Sequence, residues 1–150
     1  MPDLGQAPAE RGTYILVVSL ERDCQISVGK LGRVALRTGT YAYCGSAMAG
    51  YRGRLGRHFS QEKRLRWHID YLLQEAEPVG AFLVHGGAGM ECSLSRLLSS
   101  LDGSEPVEGF GSSDCSCISH LYRIDESSIP SLTGEIGKLS WRMAPPPEND

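Results

Sequence analysis

A chain of 150 residues, 41% hydrophobic and 22% charged, is long enough for one domain with its own core and has the composition of a soluble globular protein. No apolar run approaches the roughly 20 residues needed to cross a bilayer, so no membrane partner is expected. MPDLGQAPAERG has neither the basic nor the apolar region of a secretory signal, so the expected location is the cytoplasm, and the net charge of −3 argues weakly against general binding of polyanions.

Residues 1–11 read as a flexible lead-in. TYILVVSL, Thr13 to Leu20, is β-branched and apolar without helical spacing, which predicts a buried strand. ERDC turns the chain, CQISVG alternates as a second strand, and GKLG is another turn. RVALRTG and TYAYCGS follow as two more strands, giving an antiparallel meander over the first 46 residues.

Past the loop GSAMAG the pattern changes. In YRGRLGRHF, Tyr51, Leu55, His58 and Phe59 recur at helical spacing. Gly53 and Gly56 each cost about 1 kcal/mol there relative to Ala, which suggests close approach to the sheet or to a phosphate backbone. LRWHIDYLLQEA carries the stripe Leu65, Ile69, Leu72 and Leu73 of a second helix, ended by Pro78. VGAFLVHGG reads as a strand, and MECSLSRLLSSL as a helix with Met90, Leu94, Leu97, Leu98 and Leu101 on one side. PVEGFGSSDCSCISH is a long irregular stretch, LYRI a last short strand, and residues 126–150 a flexible tail with a Pro-rich end. No internal repeat is present. Strands followed by mixed helices and strands predict an α+β fold, a small antiparallel sheet with helices packed on it.

Charge is not spread evenly. Between Arg52 and Arg66 stand six basic residues, Arg52, Arg54, Arg57, Lys63, Arg64 and Arg66, against Glu62 alone. Such a stripe on an acidic body is either a solvated helix face or an anion-binding surface. If the strands bearing Tyr14 and Tyr43 pair, their phenols share one face. Arg54 in the next helix and Glu91 at the start of a later one can then join them at the sheet's edge. Gly45 and Gly50 allow backbone to turn close to a ligand.

Gly-x-Tyr at Gly12–Tyr14, Tyr-x-Gly at Tyr43–Gly45, and Arg-Leu in the next helix resemble the GIY-YIG endonuclease superfamily. GTYILV, YAYCGSA, RLGRHF, WHIDYLL and the stretch around GFGSSDC are most similar to its small Uri-type branch, which also occurs attached to DNA-repair glycosylases. Taken singly, each residue is an ordinary strand aromatic, surface arginine or first-turn carboxylate; their joint order carries the resemblance.

The resemblance implies an about three-stranded antiparallel sheet flanked by helices, over residues 12–125. It also implies a hydrolase that cuts DNA phosphodiesters with one Mg²⁺ or Mn²⁺ ion, in DNA repair or the processing of structured DNA. By position Tyr14, Tyr43, Arg54 and His58 are the implied catalytic residues, and Glu91 the metal ligand. Arg52, Arg57, Lys63, Arg64 and Arg66 are candidate DNA contacts, to structured, damaged or single-stranded DNA. If Tyr43 or Tyr14 acts as base, a nearby cation must lower its pKa from about 10, and Arg54 and the metal ion are the candidates. Ser46 stands where many members have Lys.

Five cysteines and no signal peptide do not suggest a disulfide scaffold. Cys115, Cys117 and His120 are candidate zinc ligands, with Cys92 or His68 to complete four; the alternatives are buried thiols or a loop near the site. Two other functions stay open: a non-catalytic nucleic-acid-binding module of the same fold, and a zinc-stabilised interaction domain.

Overall fold

The computed structural model describes residues 11–48, 50–60, 65, 67–84, 90–112, 115–136 and 140–141. Strands β1 (Gly12–Leu20), β2 (Cys24–Val28), β3 (Gly32–Leu36) and β4 (Gly39–Ala47) come first. Helices α1 (Tyr51–Phe59) and α2 (His68–Leu72), strand β5 (Glu77–Val84) and helix α3 (Met90–Ser99) follow. Strands β6 (Glu105–Pro106) and β7 (Leu121–Ile124), helix α4 (Ile129–Ile136) and strand β8 (Ser140–Trp141) complete the order. The fold is α+β, as the pattern of elements predicts.

The sheet runs β6-β7-β4-β1-β5-β8, with every pairing antiparallel. Its long strands β4, β1 and β5 form the expected three-stranded core, and the short strands widen it to six. The simple meander does not hold. β2 and β3 form a separate two-stranded ribbon, and β1 pairs with β4 across it.

β1 is buried on both faces, which accounts for its unbroken apolar run. Tyr14, Leu16, Val18, Tyr41 and Tyr43 pack with Tyr51 and Leu55 of α1, Ile69 and Leu72 of α2, Phe110, and Ile26 and Val28 of the ribbon. Ile15, Ala42 and Cys44 point the other way, against Leu94 and Leu98 of α3, Tyr122 and Ile124 of β7, and Leu132 of α4. Alternation along a strand thus assigns each residue to one of two cores.

α2 is shorter than the predicted helix. Trp67 is extended (φ −107°, ψ 160°), and the Asp70 carboxylate accepts its N–H at 2.9 Å, so the helix starts at His68. Leu65, expected on the apolar stripe, is exposed. Pro78 lies inside β5 opposite Val18, where the register slips between Val17 and Val18; proline has no N–H for the ladder, and such irregularities accommodate it. The segment expected as a tail holds α4, with Leu132 fully buried. Structure therefore extends beyond residue 125, because Ile129 and Leu132 serve the second core.

Candidate functional site

The two motif tyrosines lie on the same face of adjacent strands. Tyr14 pairs with Gly45, and Tyr43 with Leu16, so the phenols are diagonal neighbours. A Cβ at Gly45 would lie 2.4 Å from the Tyr14 ring carbon Cζ and from its hydroxyl. Gly45 therefore makes room for a tyrosine rather than for a ligand. Gly12 serves Tyr51 likewise: a Cβ there would lie 2.0 Å from the Tyr51 hydroxyl, which donates to Thr13 O at 3.0 Å and to Val84 O at 3.2 Å. Gly50, with φ 114°, occupies a conformation that side chains disfavour as α1 begins.

α1 carries His58 beneath the sheet. Tyr14 Oη and His58 Nε2 are 2.5 Å apart, and the Tyr43 ring meets the imidazole edge-on at 6.4 Å between centroids. Tyr14 and His58 are each 1% exposed and Tyr43 8%, so Tyr43 is the phenol nearer to solvent. Arg54 lies with its guanidinium carbon 4.0 Å from the centroid of Trp67, and Arg57 stacks there at 4.4 Å. Arg57 also donates to the fully buried Asp70 carboxylate at 2.5 Å. Its charge is thereby engaged within the fold; Arg52, two residues before Arg54, has an exposed side chain. Lys63, Arg64 and Arg66 lie outside the described residues.

Glu91, in the first turn of α3, approaches the same end of the sheet from the opposite face. Ser46 Oγ donates to its Oε2 at 2.5 Å, and His120 Nδ1 lies 3.2 Å from its Oε1. Burial pushes the carboxyl pKa up, but the contacts with His120 and Ser46 and the charge of Arg54 outweigh this and hold it below the usual range. For His120, burial works downward, and the Glu91 contact outweighs it, leaving the imidazole raised.

The phenols depart from expectation. Burial lifts Tyr14 well above its ordinary value, with Tyr43 adding to the rise. Burial lifts Tyr43 too, with the Glu91 charge as the next cause. Arg54 lowers both, but by less than burial raises them. The arginine expected to turn a tyrosine into a base is therefore outweighed by desolvation.

Val107 N–H donates to Leu121 O at 2.9 Å and closes the base of the loop that leads into β7. His120 N–H donates to Phe110 O at 2.8 Å, and His120 O accepts from Cys44 N–H at 2.9 Å. This loop brings Cys115, Cys117 and His120 to Cys92 of α3, with candidate ligand atoms all within 4.8 Å of one another. The four form a possible metal-binding cluster. Cys92, not His68, completes it: His68 Nδ1 accepts the N–H of Gly111 at 2.8 Å. Gly111 has φ 71°, and Phe110 packs edge-on against the His68 ring. Cys92 crowds against the other two thiols, and their hydrogen bonding together with burial pushes its pKa to about 12.

A family model described as a domain of unknown function, DUF123, matches residues 13–139. The chain belongs to the DUF123 family. No curated protein and no solved structure matches it. The DUF123 match runs from the strand that bears Tyr14 past α4, and so includes the tyrosines, Glu91 and the thiol cluster.

Three participants have roles that the sequence did not announce: Ser46 as donor to Glu91, Trp67 as the platform for two arginines, and Asp70 as partner of Arg57. Each acts on a residue a turn or more of helix, or many residues of chain, away. The available signal was adjacency: Cys92 follows Glu91, and Asp70 stands three residues after Trp67, where a capping carboxylate belongs.

Proposed function

We propose that this chain is a metal-dependent endonuclease of the GIY-YIG type, hydrolysing DNA phosphodiester bonds in the repair or processing of structured DNA. One observation carries the reading. A partly exposed carboxylate, Glu91, accepts a hydrogen bond from Ser46 on one oxygen and has His120 Nδ1 at 3.2 Å from the other, at the sheet end where Tyr14, Tyr43 and His58 gather. Arg54 acts on this site through its charge.

The donor set suits a hard cation. A carboxylate has about four lone-pair sites, so Glu91 can serve Ser46 and His120 and still hold Mg²⁺ or Mn²⁺ together with water ligands. Such an ion would supply charge neutralisation at the phosphate and stabilise the leaving oxygen. Arg54, released from Trp67, offers a planar fork to phosphate oxygens. Tyr43, with its pKa pushed up, stays protonated and donates a hydrogen bond to the phosphate or the attacking water. Proton acceptance falls to the imidazole of His58, whose Nε2 is in contact with the Tyr14 hydroxyl. Within the same reading the thiol–imidazole cluster is a structural zinc centre.

The experiment is incubation with supercoiled, branched, flapped and single-stranded DNA, with and without Mg²⁺ or Mn²⁺. Metal-dependent cutting that disappears in Glu91→Ala is the expected result. Salt-sensitive binding without cutting would overturn catalysis and leave a nucleic-acid-binding module.

A further inference from the structure

His120 stands between two groups of different chemistry. Its Nε2 faces the thiols, 3.4 Å from Cys115 Sγ. Its Nδ1 faces Glu91 Oε1 at 3.2 Å. The side chain is more than nine-tenths buried, and its backbone is fixed on both sides by Phe110 and Cys44. As the ring stands, Nδ1 is buried and not aligned in a hydrogen bond.

The cluster has the composition of a Cys₃His zinc centre. Tetrahedral thiolates on zinc lie roughly 3.8 Å apart, given Zn–S bonds of about 2.3 Å. Ligand atoms already within 4.8 Å of one another need only small rotations to reach this. Three thiols converging with one imidazole are also a soft donor set, unsuited to the hard cation assigned to Glu91.

We propose that His120 binds zinc through Nε2 and donates Nδ1–H to Glu91, making a zinc–imidazole–carboxylate relay that sets the direction of Glu91. Ligation at Nε2 leaves Nδ1 as the protonated nitrogen, and Glu91 is the acceptor in front of it. Ser46 holds the other carboxylate oxygen, so the Glu91 headgroup is oriented from both sides. His120 is a positioning residue, and the metal it binds governs a carboxylate it does not touch. Zinc loss frees the imidazole to change tautomer and releases one side of Glu91.

This inference rests on the zinc reading of the cluster and is independent of DNA cleavage. The test uses the full chain purified without chelators. Elemental analysis is expected to find about one zinc per chain, and Co²⁺ reconstitution a thiolate-to-cobalt charge-transfer band that weakens in Cys117→Ser. NMR of the His120 ring nitrogens is expected to show Nε2 metal-bound and Nδ1 protonated, with the Nδ1 proton moving upfield in Glu91→Gln. His120→Cys, which preserves four ligands, is expected to keep zinc while weakening Mn²⁺ binding about 10- to 100-fold. Absence of zinc overturns the zinc reading and the relay with it. Zinc bound with Nδ1 as ligand, or an Nδ1 proton indifferent to Glu91→Gln, overturns the relay alone. The wild-type spectrum decides the ligating nitrogen even if a variant fails to fold.

Discussion

Tyr14 Oη lies 2.5 Å from His58 Nε2, and this contact ties the first strand of the sheet to the helix packed beneath it. Both groups are buried, where an unmade polar contact is costly. Tyr14→Phe keeps the ring and deletes the hydroxyl. It is expected to lower stability by about 1–3 kcal/mol, the cost of a buried polar atom that loses this bond, as read from urea unfolding. A loss below a few tenths of a kcal/mol would show that the contact contributes nothing.

The glycines divide into two kinds. At Gly45 an added methyl meets the Tyr14 ring, and Gly45→Ala is expected to destabilise by about 1–3 kcal/mol through overpacking. At Gly53 and Gly56, both in α1, nothing lies within 4 Å of an added Cβ. Close approach to the sheet is therefore not their reason, and Gly53→Ala is expected to stabilise the helix by about 0.5–1 kcal/mol. Thermal unfolding of the two variants should shift in opposite directions. If Gly53→Ala weakens DNA binding despite its added stability, its role is at the phosphate backbone.

His68 gives a pH dependence. Burial holds its folded-state pKa below the ordinary value of about 6.5, and its Nδ1 accepts from Gly111, which needs the neutral ring. This contribution to stability is present above about pH 6.5 and is lost as pH falls from there through the lowered folded value. Urea unfolding of the wild type and of His68→Leu, at matched metal content between pH 5 and 8, should show a steeper acid-side decline in the wild type. Parallel curves would refute the linkage.

Leu132 marks where the fold reaches. It is fully buried in the core formed with Leu94, Leu98 and Ile124. Leu132→Ala is expected to cost about 2–4 kcal/mol, measured by chemical denaturation. A neutral result would mean that α4 contributes little to the second core.

Local physics made much of this legible from the sequence. The run at Thr13–Leu20, the helical spacing of Leu94 and Leu98, and the order Tyr14, Tyr43, Arg54, Glu91 led to the sheet, to α3 and to the candidate residues. Long-range choices were hidden. A strand pattern does not say whether β1 pairs with β2 or passes over it to β4. Pro78 suggests a break, yet a register slip admits it to β5. The Pro-rich end of the chain drew attention from Ile129 and Leu132, whose short helix has a modest apolar signal. The expected effect of Arg54 on the tyrosines was right in sign but smaller than the burial that no spacing reveals.

Ser46 gives Glu91 a hydrogen bond without giving it a counter-charge. A lysine at that position would place an ammonium beside the carboxylate; the hydroxyl adds no charge there and leaves His120 and Arg54 as the groups whose charge acts on Glu91. Within the proposed function, a serine here rather than a lysine favours a cation over a phosphate. If the proposed function holds, the order of binding at Glu91 is cation before polyanion.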